Sequence, residues 1–190
     1  MAPPELLTAR LRLRPRTLDD LEANLAMDLD PEVHRYIFVH GPPDAATWRA
    51  RLIERIGSGW PARGGLWAVE WRHRPGFLGW CGIFPLEDSG LIELGYRFVR
   101  LAWGQGLATE AAKAVLDYGL GQLRLDPIVA VAHPDNRASR RVLEKLGFRH
   151  EGPARYYGTE VAFYRLVRPP DVTAAGRRDP TGVDETSAAG

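Results

Sequence analysis

The chain has 190 residues, 45% of them apolar, with 25 basic and 24 acidic residues for a net charge of +1. That size fits one domain plus a tail with ample material for a single core, and the even charge gives no global drive towards nucleic acid or membrane. A lone cysteine, Cys81, excludes an intrachain disulfide and a cysteine-cluster zinc site, and neither a membrane span nor a signal peptide is legible, so a cytoplasmic protein is expected.

Leu11 and Leu13 alternate with Arg10, Arg12 and Arg14, the period of a half-exposed strand. Thr17 with Asp20 opens a helix striped by Leu18, Leu21, Leu25 and Leu29. Asp44 caps a second helix, striped by Ala45, Trp48, Leu52 and Ile56. Leu66–Trp71 and Phe77–Phe84 read as strands joined by a tight turn at His73–Gly76, and Leu91–Val99 as a longer strand. A glycine-punctuated loop, Arg100–Gly106, then opens a helix over Leu107–Leu120, with Leu107, Ala111, Val115 and Tyr118 on one side. The apolar run Ile128–Ala132 reads as a strand buried on both faces in a parallel pairing, completing a βαβ unit. Asp135 is the expected cap of a short helix that Gly147 ends in the left-handed conformation. Strands near Phe148–Ala154 and Val161–Val167 close the domain, taken as residues 1–168. Residues 169–190 offer almost no apolar surface to offset ordering entropy and read as a disordered tail.

Two stretches carry chemistry. Trp103-Gly104-Gln105-Gly106-Leu107-Ala108-Thr109-Glu110 lies between a strand and a helix N-terminus. Glycines let the backbone approach a ligand, and the free N–H groups of the helix start favour an anion such as a pyrophosphate. A turn that needs glycine for geometry alone explains the spacing equally well. Position 109 is Thr and no acid ends the next strand, so the dinucleotide fingerprint fails; Gly-Lys-Ser/Thr is absent, so the P-loop fails too. Coenzyme A remains a good candidate. The second stretch runs from Asn136-Arg137-Ala138-Ser139 to Leu146-Gly147-Phe148. Asn136 and Ser139 share one helix face where the buried strand ends, a place where open α/β sheets bind ligands; helix capping is the plainer explanation.

In this order and spacing, ARLRLRPRTLDDLEA, DPEVHRYI, IELGYRF, WGQGLATEA and NRASRRVLEKLGF resemble the GNAT superfamily of acetyl-CoA-dependent N-acetyltransferases, over about Leu7–Val167. The aromatic at Trp103, where the wider superfamily has Gln or Arg, resembles the RimJ/RimL-like branch. The resemblance implies an α/β (α+β) GNAT fold: a mixed, mostly antiparallel central sheet of about six to seven strands flanked by about four helices, with a βαβ acyl-CoA-binding unit. It implies that acetyl-CoA is the co-substrate, with no metal. The backbone of Gly104, Gln105, Gly106, Leu107, Ala108 and Thr109 would hold its pyrophosphate. The backbone of Phe98 and Val99 would pair with the pantetheine arm, and Asn136 and Ser139 would flank it near the thiol. Arg140 and Arg141 are candidates for the adenosine 3′-phosphate.

By the same resemblance Glu93 is the general base for the acceptor amine. An α-amine, with a pKa of about 7.7–8.0, needs less help than a lysine at about 10.4. A solvated strand glutamate is the plainer alternative. A backbone N–H near Phe98 or Val99 is the candidate oxyanion donor. Ser139 is the first choice of acid for the leaving thiolate, with Tyr156 and Tyr157 as runners-up. His133 is a weaker candidate, and His34, His40, His73 and His150 lack metal spacing. Trp48, Trp60, Trp67, Trp71 and Trp80 are candidates for core or pocket wall, and Val33–Pro43 for the pocket's variable rim. The expected activity is acetyl transfer to a primary amine, a protein N-terminus or a small molecule, by direct attack in a ternary complex. Homodimers are common in the branch. The alternatives are a longer acyl-CoA donor and a non-catalytic acyl-CoA-binding module.

Overall fold

The computed structural model describes residues 2–38, 41–42, 44–59 and 64–167. The chain runs through strands β1 (Leu6–Leu7) and β2 (Leu11–Pro15), helices α1 (Leu21–Asp28), α2 (Pro31–His34) and α3 (Ala45–Gly57), then β3 (Gly65–Trp71), β4 (Arg74–Pro85) and β5 (Ile92–Phe98). Helix α4 (Leu107–Gly121), β6 (Ile128–Ala132), α5 (Arg137–Lys145), β7 (Arg149–Tyr156) and β8 (Thr159–Leu166) complete it. One eight-stranded sheet has the order β1-β2-β3-β4-β5-β6-β8-β7. Every pairing is antiparallel except β5 with β6. Two elements exceed the expected count: the two-residue β1 and the four-residue α2, both too short to show a hydrophobic period. Helix α2 overlaps only the start of the expected rim, and Asp30 ahead of it caps it by accepting from the Glu32 N–H.

The sheet's alternation sorts its residues to two sides. Leu11 and Leu13 are wholly buried in the main core with Trp67, Val69, Cys81, Ile83 and Leu94, beneath Leu107, Ala111 and Val115 of α4. Each aliphatic side chain buried there contributes about 1.5–3 kcal/mol. Arg12 and Arg14 face the other way and pair with Glu70 and Asp20. On that side α1 and α3 pack through Leu21, Trp48, Leu52 and Ile56. Strand β6 is buried on both faces, as its apolar run requires: Ile128 and Ala130 enter the main core and Val129 a second cluster with Leu86 and Phe163.

Three local expectations need correction. The inward face of α1 is not a leucine stripe. Leu18 is exposed, and Asn24 and Asp28 are buried with Leu21 and Met27. Asp28 is satisfied there by Asn24 Nδ2 at 2.8 Å, Trp48 Nε1 at 3.0 Å and the Arg97 guanidinium at 2.6 Å. The β3–β4 turn falls at Arg72–His73, because Trp71 pairs with Arg74 and a bulge near Glu70 absorbs the extra length. The α5 cap is Asn136, whose Oδ1 accepts the Ser139 N–H at 3.1 Å, since the turn through Pro134 and Asp135 delays the helix by one residue. Gly147 does end that helix with a left-handed φ of 89°. The expected tail, together with His40, Pro43 and Trp60, lies outside the described residues.

Candidate active site

The parallel pairing between β5 and β6 lasts for only two residue pairs, Ile92 with Ile128 and Glu93 with Val129. Beyond them the strands part, and the edge of β5 from Leu94 to Phe98 has no β6 partner. Val99 N–H donates to Leu78 O across the β4 side at 2.9 Å. The alternation of an antiparallel ladder therefore turns the backbone groups of Tyr96 and Phe98 towards the opening. The Val99 carbonyl accepts the Ala102 N–H at 2.9 Å as the chain turns. Tyr96 and Phe98, rather than Val99, therefore present their backbone groups on this edge of β5. The Phe98 carbonyl accepts Trp103 Nε1 at 2.8 Å, leaving its N–H and the Tyr96 pair on this edge.

At the end of the opening lies the glycine loop. Gly104 and Gly106 have φ of +73° and +76°, which side chains rarely adopt, and a Cβ on Gly104 would meet nothing within 4 Å. The first backbone bond of α4 is Glu110 N–H to Gly106 O, so the N–H groups of Leu107, Ala108 and Thr109 lie ahead of it. A left-handed loop, open over Gly104 and followed by the N–H groups of a helix start, fits an anionic phosphate.

On the main-core side of β5, Tyr96 reaches α5. Its hydroxyl donates to Ser139 O at 3.1 Å and lies 3.0 Å from Ser139 Oγ. With the phenol proton on the carbonyl, the serine hydroxyl is the donor in the second bond. Burial raises the Tyr96 phenol well above its ordinary value, so it stays protonated. Sequence reasoning missed Tyr96. Its signal was only the alternation that sets it beside Leu94 and Phe98.

On the opposite face sits Glu93, 5% exposed. Burial pushes its carboxyl up to about 7, against a hydrogen bond from Tyr157 that lowers it. The Tyr157 hydroxyl donates to Glu93 Oε2 from the tip of the β7–β8 hairpin, where Tyr157 and Gly158 take left-handed φ of 53° and 73°. Burial and the neighbouring Glu93 charge raise the phenol, so this tyrosine keeps its proton and serves the carboxylate. Tyr156 stacks on Phe163 at 5.8 Å instead. Arg97, next along the same face, is held by Asp28.

Other candidates are engaged elsewhere. Arg140 donates to Tyr164 Oη at 2.8 Å and to Pro134 O at 3.1 Å, so it braces α5. His133 Nδ1 accepts the Asp135 N–H at 3.2 Å and its ring lies 5.2 Å from Tyr36. Cys81 is buried, which raises its thiol. Trp67 and Trp80 are core residues, as is Trp48, whose indole N–H is spent on Asp28. Among the described residues no cluster of His, Cys, Asp or Glu gathers to hold a metal, and no helix is long and apolar enough to cross a membrane.

A parting parallel pair, a left-handed glycine loop at its mouth and a buried carboxylate beside it thus meet at one place in the fold. The sequence profile of the acetyltransferase (GNAT) domain matches residues 10–149. Two Bacillus subtilis proteins are similar along nearly their whole length. The uncharacterised protein YkkB is 35% identical over 84% of this chain and 94% of its own. The uncharacterised N-acetyltransferase YoaA is 33% identical over 87% and 98%. A GNAT-family acetyltransferase of Bacillus anthracis superposes with a TM-score of 0.71 and 25% identity over 86% of this chain and 98% of its own. Mycobacterium smegmatis RimJ in complex with CoA-disulfide shares the fold, with a TM-score of 0.64 and 23% identity over 83% and 81%. The chain belongs to the GNAT family, whose acetyl donor is acetyl-CoA, and it is an N-acetyltransferase.

Proposed function

We propose that the protein is a cytoplasmic enzyme of the RimJ/RimL-like branch. It acetylates a primary amine, either a protein N-terminus or a small molecule, by direct attack on acetyl-CoA in a ternary complex. The observation that carries this reading is the division of chemistry about one strand. Glu93 and Tyr157 lie on one face of β5, Tyr96 and Ser139 on the other, at the place where β5 and β6 part.

In this reading the backbone of Gly104–Thr109 holds the pyrophosphate. The Tyr96 and Phe98 backbone groups facing the opening supply the donors for the pantetheine arm and the developing oxyanion. Asn136 contributes by capping α5, which fixes Ser139 beside the thiol. Glu93, ionised in part at neutral pH, takes the proton of the attacking amine. As the C–S bond breaks, Ser139 Oγ passes a proton to the thiolate and takes one back from solvent, since a thiol pKa of about 8.5 demands only a weak acid. Tyr96 keeps that hydroxyl in place. Glu93 at about 7 suits an acceptor α-amine, already partly neutral at that pH, better than a lysine.

The test is thiol release from acetyl-CoA with amino-terminal peptides, lysine-only peptides and small amines, with the acetylated product weighed by mass spectrometry. One thiol per new amide, with α-amines preferred, is the expected result. Turnover confined to lysine side chains would refute the α-amine preference, and thiol release without an amide would refute the transfer.

A further inference from the structure

The turn between β1 and β2 is far in sequence from the glycine loop yet touches it at several points. Glu110, in the first turn of α4, receives the Thr8 hydroxyl at 2.6 Å, the Arg10 N–H at 2.9 Å and Arg10 Nε at 2.7 Å. A second nitrogen of the guanidinium completes the pair at 2.6 Å. Arg10 Nη1 also donates to the carbonyl of Gln105 at 3.0 Å, between the two left-handed glycines. Arg10 Nη2 is the nearest neighbour to the Cβ position of Gly106, at 3.8 Å. Burial raises the Glu110 carboxyl, but the bonds from Thr8 and Arg10 outweigh it and hold the group below its ordinary value. A negative charge therefore stands in the same first turn as the N–H groups offered to a phosphate.

We propose that Arg10 is a positioning residue for the acetyl-CoA pyrophosphate: its guanidinium fixes the Gly104–Gly106 loop through the Gln105 carbonyl and cancels the Glu110 charge that opposes an anion there. This rests on the reading that the loop binds the pyrophosphate. Arginine suits the task because its planar fork holds a carboxylate bidentately while a further N–H reaches the carbonyl, a geometry a lysine ammonium does not preset. With Arg10 removed, Glu110 is ionised and unpaired, and the loop loses its brace.

The experiment compares acetyl-CoA with acetyl-pantetheine, which lacks the pyrophosphate, in wild type, R10M, R10K and R10M/E110Q. Wild type should favour acetyl-CoA in kcat/KM. R10M should reduce that preference about ten-fold, the effect of one lost charge-assisted interaction. R10K, which keeps the charge, should fall between, and R10M/E110Q should regain part of the preference. An equal fall with both donors in R10M and R10K would overturn the proposal and make Arg10 a general brace. A wild type with no preference for acetyl-CoA would instead refute the pyrophosphate assignment of the loop.

Discussion

The most informative perturbation is Glu93→Gln, because the proposed base is also a buried carboxyl, so one change tests activity and stability together. With the carboxyl at about 7, roughly one molecule in ten carries the base at pH 6 and nine in ten at pH 8. Saturated turnover should therefore climb nearly ten-fold per pH unit below pH 7 and flatten above it. Glu93→Gln should lower turnover by about 10²–10⁴-fold at pH 8 and abolish that bend. The stability effect has the opposite sign. The folded carboxyl holds its proton up to about 7, whereas the unfolded one releases it near 4.5. Glu93's stabilising contribution is thus fully present below pH 4.5 and is lost as pH rises through 7. At about 1.4 kcal/mol for each pH unit between those two values, about 3 kcal/mol is at stake. Relative to its value below pH 4.5, the stability gap between Glu93→Gln and wild type should widen by less than about 1 kcal/mol at pH 5 and by about 3 kcal/mol at pH 8. Urea unfolding at both pH values and a turnover profile from pH 5 to 9 measure both effects. An unchanged bend in the variant would refute Glu93 as the base, and a wild type that gains stability over the variant with rising pH would refute its burial as a strained carboxyl.

Tyr157→Phe removes the hydrogen bond that lowers Glu93, so the bend in the turnover profile should move above pH 7 while the fold persists; a bend that stays put would show that Tyr157 does not act through Glu93. Tyr96→Phe frees the Ser139 hydroxyl, so turnover should fall about ten-fold with little change in the acetyl-CoA dissociation constant measured by calorimetry. Asp28→Ala leaves the Arg97 guanidinium without its partner in a largely buried place and should cost about 3–5 kcal/mol in urea unfolding.

The fold was legible where one physical pattern dominated. The alternation of Leu11 and Leu13, the apolar run Ile128–Ala132 and the glycine pair ahead of α4 each matched one element because each had one solution. The glycine loop proposed for the anion and the placing of Ser139 at the start of α5 came from the same patterns. What escaped depended on partners remote in sequence. Asn24 and Asp28 look like surface residues of α1 until Arg97 and Trp48 arrive to satisfy them. Tyr157 meets Glu93 across 64 positions, and Arg10 meets Glu110 across 100. No local period encodes such contacts. The commitment of Val99's backbone was equally hidden, since it follows from the register of β5 on β4 and the turn at Arg100–Ala102.

Calorimetric titration of acetyl-CoA into the wild-type chain and into Gly106→Val tests the donor site most directly. The wild type should bind one equivalent with a dissociation constant in the range of about 1 μM to 1 mM usual for enzyme substrates. The variant, whose side chain cannot follow the left-handed backbone at the start of α4, should lose at least about ten-fold in affinity. Absence of binding heat and of thermal stabilisation in the wild type, or equal affinity in both proteins, would contradict the assignment of this loop to the acetyl donor.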